Sequence, residues 1–293
     1  NKEDIMDGIL VINKPKGLTS NDIVKKVKRI LNTKVGHTGT LDPNATGVLP
    51  LLLGNATKIS KYLINHDKEY EAVIKLGVKT TTADVEGKII EEKEINKEKL
   101  KKENIEKVLE SSVGKQQQIP PIYSAIKVNG KKLYEYARQG KEVEIKARDI
   151  EIYDLKLLKI DSENNELTIN VKCSKGTYIR SLCEDIAAKL ETLGYMKELN
   201  RIQVGEFNIK DSVTIEEFKA NIENKDYSNI IGIEEIFKEI PEITIKQREY
   251  EKYLNGVKID TDNMDGIYRI YLDNKFSGLG IVENKKLKRD LVI

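Results

Sequence analysis

Tryptophan is missing from the chain, and aromatic residues of all kinds make up only 6% of its 293 residues. The 39% hydrophobic share is still enough for a buried core, and the length suits one large domain with a small one, or two of middling size. Cysteine is scarce. Cys173 and Cys183 are too few for a disulfide framework and lack metal-site spacing, and two such thiols fit a reducing cytosol. With His37 and His66 the only histidines, a histidine-rich metal centre is excluded. No apolar run approaches the roughly 20 residues of a membrane helix. The longest, Val48–Leu53, is short and interrupted by Pro50. Residues 1–12 lack the basic start and apolar stretch of a signal peptide. Because the chain opens on Asn1 rather than Met, its start is read as trimmed or incomplete. A cytoplasmic protein without a membrane span is expected.

Net charge is only +2, so overall charge does not announce a partner. Local balance says more. Between Lys14 and Thr38 there are seven basic residues and one acid, and between Lys127 and Arg148 seven basic residues and three acids. Such stretches are either solvated surface or a face that meets phosphate.

Periodicity places the elements. Gly8–Asn13 reads as a buried strand, and Lys14-Pro15-Lys16-Gly17 as a turn. Thr19 and Asp22 give a capping pattern ahead of Ile23, Val24, Val27, Ile30 and Leu31 at helical spacing. Residues 36–50 show no period and read as a loop. Tyr70, Ala72, Ile74 and Leu76 alternate as on a half-buried strand. A charged helix follows over 97–111, then the break Ile119-Pro120-Pro121. Residues 122–128 read as strand, Asn129-Gly130 as a hairpin turn, and 131–139 as a short basic helix or ordered loop. One or two strands are expected within 142–160 and a clear one over 167–173. A helix is expected over 178–193, stopped by Gly194, and Thr214 with Glu217 caps another. Beyond Pro241 a helix over 247–254 and strands over 266–272 and 276–282 suggest a separate small β-rich domain. Without a regular βαβ rhythm, the fold class expected is α+β, a mixed and mainly antiparallel sheet flanked by helices.

The stretch Gly36-His37-Thr38-Gly39-Thr40-Leu41-Asp42-Pro43-Asn44-Ala45-Thr46-Gly47 stands out. Its glycines and proline fix the backbone around one acid, and Pro43 drives Asp42 toward extended geometry. Asp42 is either a turn anchor or a carboxylate held rigidly for chemistry. This loop resembles the catalytic loop of TruB-family pseudouridine synthases. The likeness continues through GILVINKPKGLTSNDIVKKVK, LLLGNATKISKYL, DKEYEAVIKLG, QIPPIYSAIKVNGKKLYEYARQGKEV, CSKGTYIRSLCEDI and LNRIQVG, in family order over about residues 8–215. The C-terminal part is more weakly similar to a PUA-type RNA-binding module.

That resemblance implies an isomerase that converts the T-loop uridine at position 55 of tRNA to pseudouridine. It divides the chain into a pseudouridine-synthase domain over 1–240, with a thumb-like segment at about 122–148, and a PUA-like domain over 241–293. Substrate and product are isomers, so no redox partner or added atom is needed, and neither cofactor nor metal is expected. The reaction calls for a carboxylate near the anomeric carbon, a group that orients it and a closed pocket for the detached base. By resemblance these are Asp42, Arg180 as its partner, Tyr70 against the base and Leu199 as an apolar wall. The target must leave a folded loop, at a cost of a few kcal/mol. His37 matches the residue that fills the gap. Lys14, Lys127, Lys131, Lys132 and Arg138, with Tyr134 and Tyr136, are expected to meet the tRNA T-arm.

The chain departs from the family pattern at Asn200, where a basic residue is common, and at Thr81 and Thr82, although Asp84 and Arg201 are retained. A tRNA-folding chaperone and a guide-dependent subunit of an RNA-modifying particle are the competing readings. The full thumb segment favours the stand-alone form, a monomer without an obligatory protein partner.

Overall fold

The computed structural model describes residues 7–64 and 66–293; residues 1–6, part of the stretch read above for a leader, lie outside the described residues. The main sheet runs in the spatial order Ile230–Gly232, Gly8–Lys14, Thr46–Leu53, Gly194–Val204, Lys68–Leu76, Glu166–Cys173, Arg148–Asp161 and Gly114–Gln118. Val35–His37 and Phe207–Asn208 add to it from the side. Its pairings are antiparallel except between Thr46–Leu53 and Gly194–Val204, so the sheet is mixed and mainly antiparallel, as expected.

Different strands carry different patterns because different things cover them. Gly8–Lys14 and Thr46–Leu53 read as continuous apolar runs because both faces are buried. Leu10, Ile12, Leu49 and Leu51 pack under the helices Ser20–Leu31 and Ile215–Glu223, while Ile9, Val11, Val48 and Leu52 pack on the opposite side. Lys68–Leu76 alternates because its one buried face, Tyr70 to Leu76, lies beneath the helices Lys102–Ser111 and Ile179–Lys189. Both predicted capping boxes form. Thr19 Oγ1 accepts from the Asp22 amide at 3.0 Å, and Thr214 Oγ1 from the Glu217 amide at 3.2 Å.

The loop expected over 36–50 is shorter than its lack of period suggested, because Thr46–Leu53 is a strand in the interior of the sheet. Proline is normally excluded there. Pro50 is tolerated because Gly194–Val204 pairs this strand only at Thr46 and Gly47, and Val35–His37 pairs it only from Leu51 onward. The proline falls in the gap between them. Gly47 is required at its position: its φ is 107°, and a Cβ there would lie 2.2 Å from the Arg201 carbonyl oxygen.

The C-terminal sheet is present, with spatial order Glu242–Ile245, Gly266–Leu272, Lys275–Glu283, Lys286–Val292 and Ile259–Asp260. It has an apolar cluster of its own around Ile270, Val282 and Leu287. Leu279 and Leu291, however, belong to the same cluster as Ile9, Val11, Val48 and Leu52 of the main sheet. Asp290 also accepts from Tyr62 and Lys61. The two sheets therefore share a core. Among the described residues no helix is long and apolar enough to cross a membrane.

Candidate active site

Loop 38–45 leaves one strand and enters the next, and three buried polar side chains fix its path. Lys14 is fully buried; its ammonium donates to the carbonyls of Leu18 at 2.6 Å, Pro15 at 2.9 Å and Pro43 at 3.1 Å. Burial lowers its pKa to about 8, while the negative charge of Asp42 opposes that shift. Ser20 Oγ both accepts from the Leu41 amide at 2.9 Å and donates to the Leu41 carbonyl at 3.0 Å. Arg201, 1% exposed, donates to the carbonyl of Gly39 at 2.7 Å and, through Nε, to that of Val48 at 2.9 Å. It also meets the Tyr70 hydroxyl. Buried charge is tolerable only with such partners. At the centre of this fixed loop the Asp42 side chain stays 57% exposed. A carboxylate presented to solvent from a braced backbone is available for chemistry.

Arg180 lies in the first turn of the helix Ile179–Lys189, whose start is set by Gln118. That glutamine accepts from the Tyr178 amide at 2.8 Å and donates to its carbonyl at 3.0 Å. The Arg180 side chain is only 9% exposed and joins three segments. One guanidinium nitrogen lies 3.9 Å from Asp42 Oδ2 and donates to the Tyr123 carbonyl at 2.9 Å. The other lies 3.6 Å from Asp84 Oδ2 and donates to the Thr82 carbonyl at 3.4 Å. Arg180 and Asp42 thus meet through one nitrogen and one oxygen rather than through a two-pronged clamp. Asp84 is itself fixed by the Glu86 amide at 3.0 Å and the Thr82 hydroxyl at 2.5 Å.

These groups line one cleft of about 350 Å³, near the small end of the range for ligand pockets of about 300–1,000 Å³. Asp42 and Arg180 face it along with Tyr70, Leu199, Met196 and Tyr134. Tyr70 and Leu199 come together because Tyr70 pairs with Arg201 and Ala72 with Leu199 in adjacent strands, which puts all of them on one face of the sheet. Burial pushes the Tyr70 hydroxyl up to about 12, and the neighbouring Arg201 charge opposes the shift.

Residues 123–138 close over the cleft. Asn129 and Gly130 both have positive φ, 49° and 81°, which suits the tight turn between Lys127–Val128 and Lys131–Lys132. Leu133 is fully buried and starts the helix Leu133–Arg138. Lys132 and Arg138 both lie over the ring of Tyr134, at 5.4 and 5.3 Å from its centroid. Lys127, Lys131 and Arg138 are exposed, and Lys132 is half-buried.

Two expected residues fall elsewhere. Lys14 was expected to meet RNA, but its ammonium is enclosed by three carbonyls beneath the loop and cannot reach a phosphate in this structure. His37 ends the edge strand Val35–His37 and is half-buried, outside the residues that line the cleft. Burial, and then the Arg201 charge, hold its pKa below the usual histidine value. Asn200 accepts from Thr46 Oγ1 at 3.0 Å and faces away from the cleft.

Sequence reasoning left out Ser20, Asp84, Gln118 and Arg201 as site residues. Arg201 had a usable signal, since it stands two positions after Leu199 and so shares its strand face.

Comparison with known proteins bears on the family and the fold. The family model for the N-terminal domain of TruB family pseudouridylate synthases matches residues 27–179, and that for the tRNA pseudouridylate synthase B C-terminal domain matches residues 180–235. The chain is 44% identical over 284 residues to tRNA pseudouridine synthase B of Francisella tularensis subsp. novicida, covering 96% of this chain and 93% of that one. It is 44% identical over 292 residues to tRNA pseudouridine synthase B of Clostridium kluyveri, covering 97% and 98%. Its fold is similar to a chain in the crystal structure of a Cbf5-Nop10-Gar1 complex, with a TM-score of 0.68 and 25% identity over 95% of this chain and 79% of that one. On this identity over nearly its whole length, and with the architecture just described, the chain belongs to the TruB family of pseudouridylate synthases.

Proposed function

We propose that this chain converts the T-loop uridine at position 55 of tRNA to pseudouridine, with Asp42 as the reacting carboxylate. The observation that carries the reading is the exposed Asp42 side chain on a braced loop, in one cleft with Tyr70, Leu199 and Arg180. In the reaction the N1–C1′ bond breaks, the uracil turns, a C5–C1′ bond forms, C5 loses its proton and N1 gains one. Atoms and electrons balance within the nucleotide. Whether the carboxylate attacks C1′, attacks the base or takes a proton from C2′, it has to be ionised and close to the ribose. Arg180, 3.9 Å from Asp42 Oδ2, limits where the side chain can go. Tyr70 and Leu199 offer a flat ring and an apolar wall for a base that has left its stack, and the hydroxyl of Tyr70 stays protonated near neutral pH.

The exposed Lys127, Lys131 and Arg138 are assigned to the phosphates of the T-arm. Residues 1–240 form the synthase domain and 241–293 an RNA-binding module docked on it. The nearly full-length match to relatives named tRNA pseudouridine synthase B supports tRNA as the substrate, and the proposal is of a cytoplasmic monomer that acts on free tRNA without guide RNA or protein partner. The test is to incubate the purified chain with unmodified tRNA transcript alone and map pseudouridine by nucleotide. Modification at position 55 is expected. Modification only after guide RNA or partner proteins are added would contradict the stand-alone reading, and none under either condition would contradict the function.

A further inference from the structure

We infer that the Ser124 hydroxyl holds the uracil ring while it turns, donating to one ring carbonyl before the turn and to the other after it. Ser124 lines the cleft beside Asp42 and Tyr70, is only 5% exposed, and its Oγ has no hydrogen-bond partner. Three backbone carbonyls around it are engaged. The Tyr123 carbonyl accepts from Arg180 at 2.9 Å, the Ser124 carbonyl from the Tyr134 amide at 3.2 Å, and the Ile126 carbonyl from the Leu133 amide at 2.7 Å. The backbone is therefore pinned around a hydroxyl left without a partner, and leaving such a group unpaired is costly. Of the charged residues that line the cleft with it, Asp42 is committed to the sugar or base, and Arg180 is engaged by the Tyr123 and Thr82 carbonyls and by Asp42 and Asp84. The serine's partner is thus a group that arrives with the substrate.

The chemistry of the turn names that group. Uracil carries carbonyls at C2 and C4, flanking N3. To bring C5 to the place N1 has left, the ring rotates half a turn about the line through N3 and C6. That rotation exchanges N1 with C5 and, at the same time, the C2 carbonyl with the C4 carbonyl. A fixed donor at one flank of N3 meets a carbonyl in the uridine orientation and again in the pseudouridine orientation. A hydroxyl suits this task because it rotates freely and has no charge to compete with the Asp42–Arg180 pair. The role assigned is that of a base-contacting residue, and it rests on the functional reading above.

The experiment uses the full chain and tRNA carrying tritium at C5 of the target uridine, because C5 loses its hydrogen in the reaction. Single-turnover release is measured for wild type and Ser124→Ala, on uridine and on substrates with 2-thiouridine or 4-thiouridine at the target position. Sulfur is a weak acceptor, so it removes the bond from the substrate side. Ser124→Ala is expected to slow release about fivefold to tenfold on uridine, the loss of one neutral hydrogen bond, with tRNA affinity within a few-fold of wild type. That ratio is expected to shrink on at least one thio-substrate. Because Oγ has no partner in the free protein, the melting temperature is expected to hold or rise. A normal rate for Ser124→Ala, or a loss equal on all three substrates, would overturn the proposal. Absence of release by wild type would instead overturn the functional reading.

Discussion

Replacing Arg180 with lysine keeps the charge and removes the shape. The guanidinium serves several sites at once: within 3.9 Å of Asp42, within 3.6 Å of Asp84, and bonded to the Tyr123 and Thr82 carbonyls. A lysine ammonium is one point on a flexible stem, and it cannot span two carboxylates on different segments. It will settle on Asp84 or on Asp42, and either choice frees Tyr123 and the segment that covers the cleft. Misplacement at a reacting centre costs about a hundredfold in rate, equivalent to about 2.7 kcal/mol of barrier. The buried bond to Tyr123 adds a stability cost of about 1.5–3 kcal/mol, as for a charged donor. Tritium release at saturating enzyme, with filter binding on the same protein, separates rate from affinity. For Arg180→Lys the expected result is a rate lower by at least about a hundredfold with tRNA affinity little changed. A rate within threefold of wild type, combined with weaker binding and a salt slope smaller by about one contact, would refute the reasoning and make Arg180 a phosphate ligand.

Changing Lys127 and Lys131 to alanine is expected to weaken tRNA binding and flatten its salt dependence by about 0.7–0.9 per residue, while single-turnover rate at saturation stays normal; a slope unchanged in filter binding would contradict this. Leu279→Ala, in the core shared by the two sheets, is expected to cost about 2–5 kcal/mol in urea denaturation. Truncation after Pro241 removes Leu279, Leu291 and Asp290 together, so the shortened chain is expected to aggregate on size-exclusion chromatography rather than persist as a folded weak binder. Lys14→Met tests the braced loop through pH. In wild type the folded lysine releases its proton at about 8 and the unfolded one near its ordinary 10.5. Between those values the unfolded chain binds more protons, so wild-type stability relative to Lys14→Met rises with pH there and is flat below about 8. Urea midpoints at pH 7 and 9.5 check the sign, and a difference that does not grow contradicts it.

What the sequence revealed follows from what leaves a local trace. Caps, the Asn129-Gly130 turn and the alternation of Tyr70 to Leu76 depend on near neighbours, and all were legible. The interior strand Thr46–Leu53 was not, because Pro50 and Gly47 look like loop residues until the strands that leave a gap beside them are known. Lys14 looked like surface because lysine usually is. The carbonyls of Pro15, Leu18 and Pro43 make its burial tolerable. Asp42, Tyr70, Arg180 and Leu199 were named through resemblance, and the cleft brings these four together. Asp84 and Arg201 act through partners more than 90 residues away in the chain, a relation that spacing along one sequence does not express.

The most direct test of the central claim is Asp42→Asn. The carboxylate is exposed, so the near-isosteric amide should leave the fold intact. Most affinity should come from basic residues on phosphate, and tRNA binding is expected to stay within a few-fold of wild type. The measurement is pseudouridine formed at position 55 under single-turnover conditions with saturating enzyme. The account predicts none above the no-enzyme control, and isomerisation by the Asp42→Asn protein above that control would contradict it.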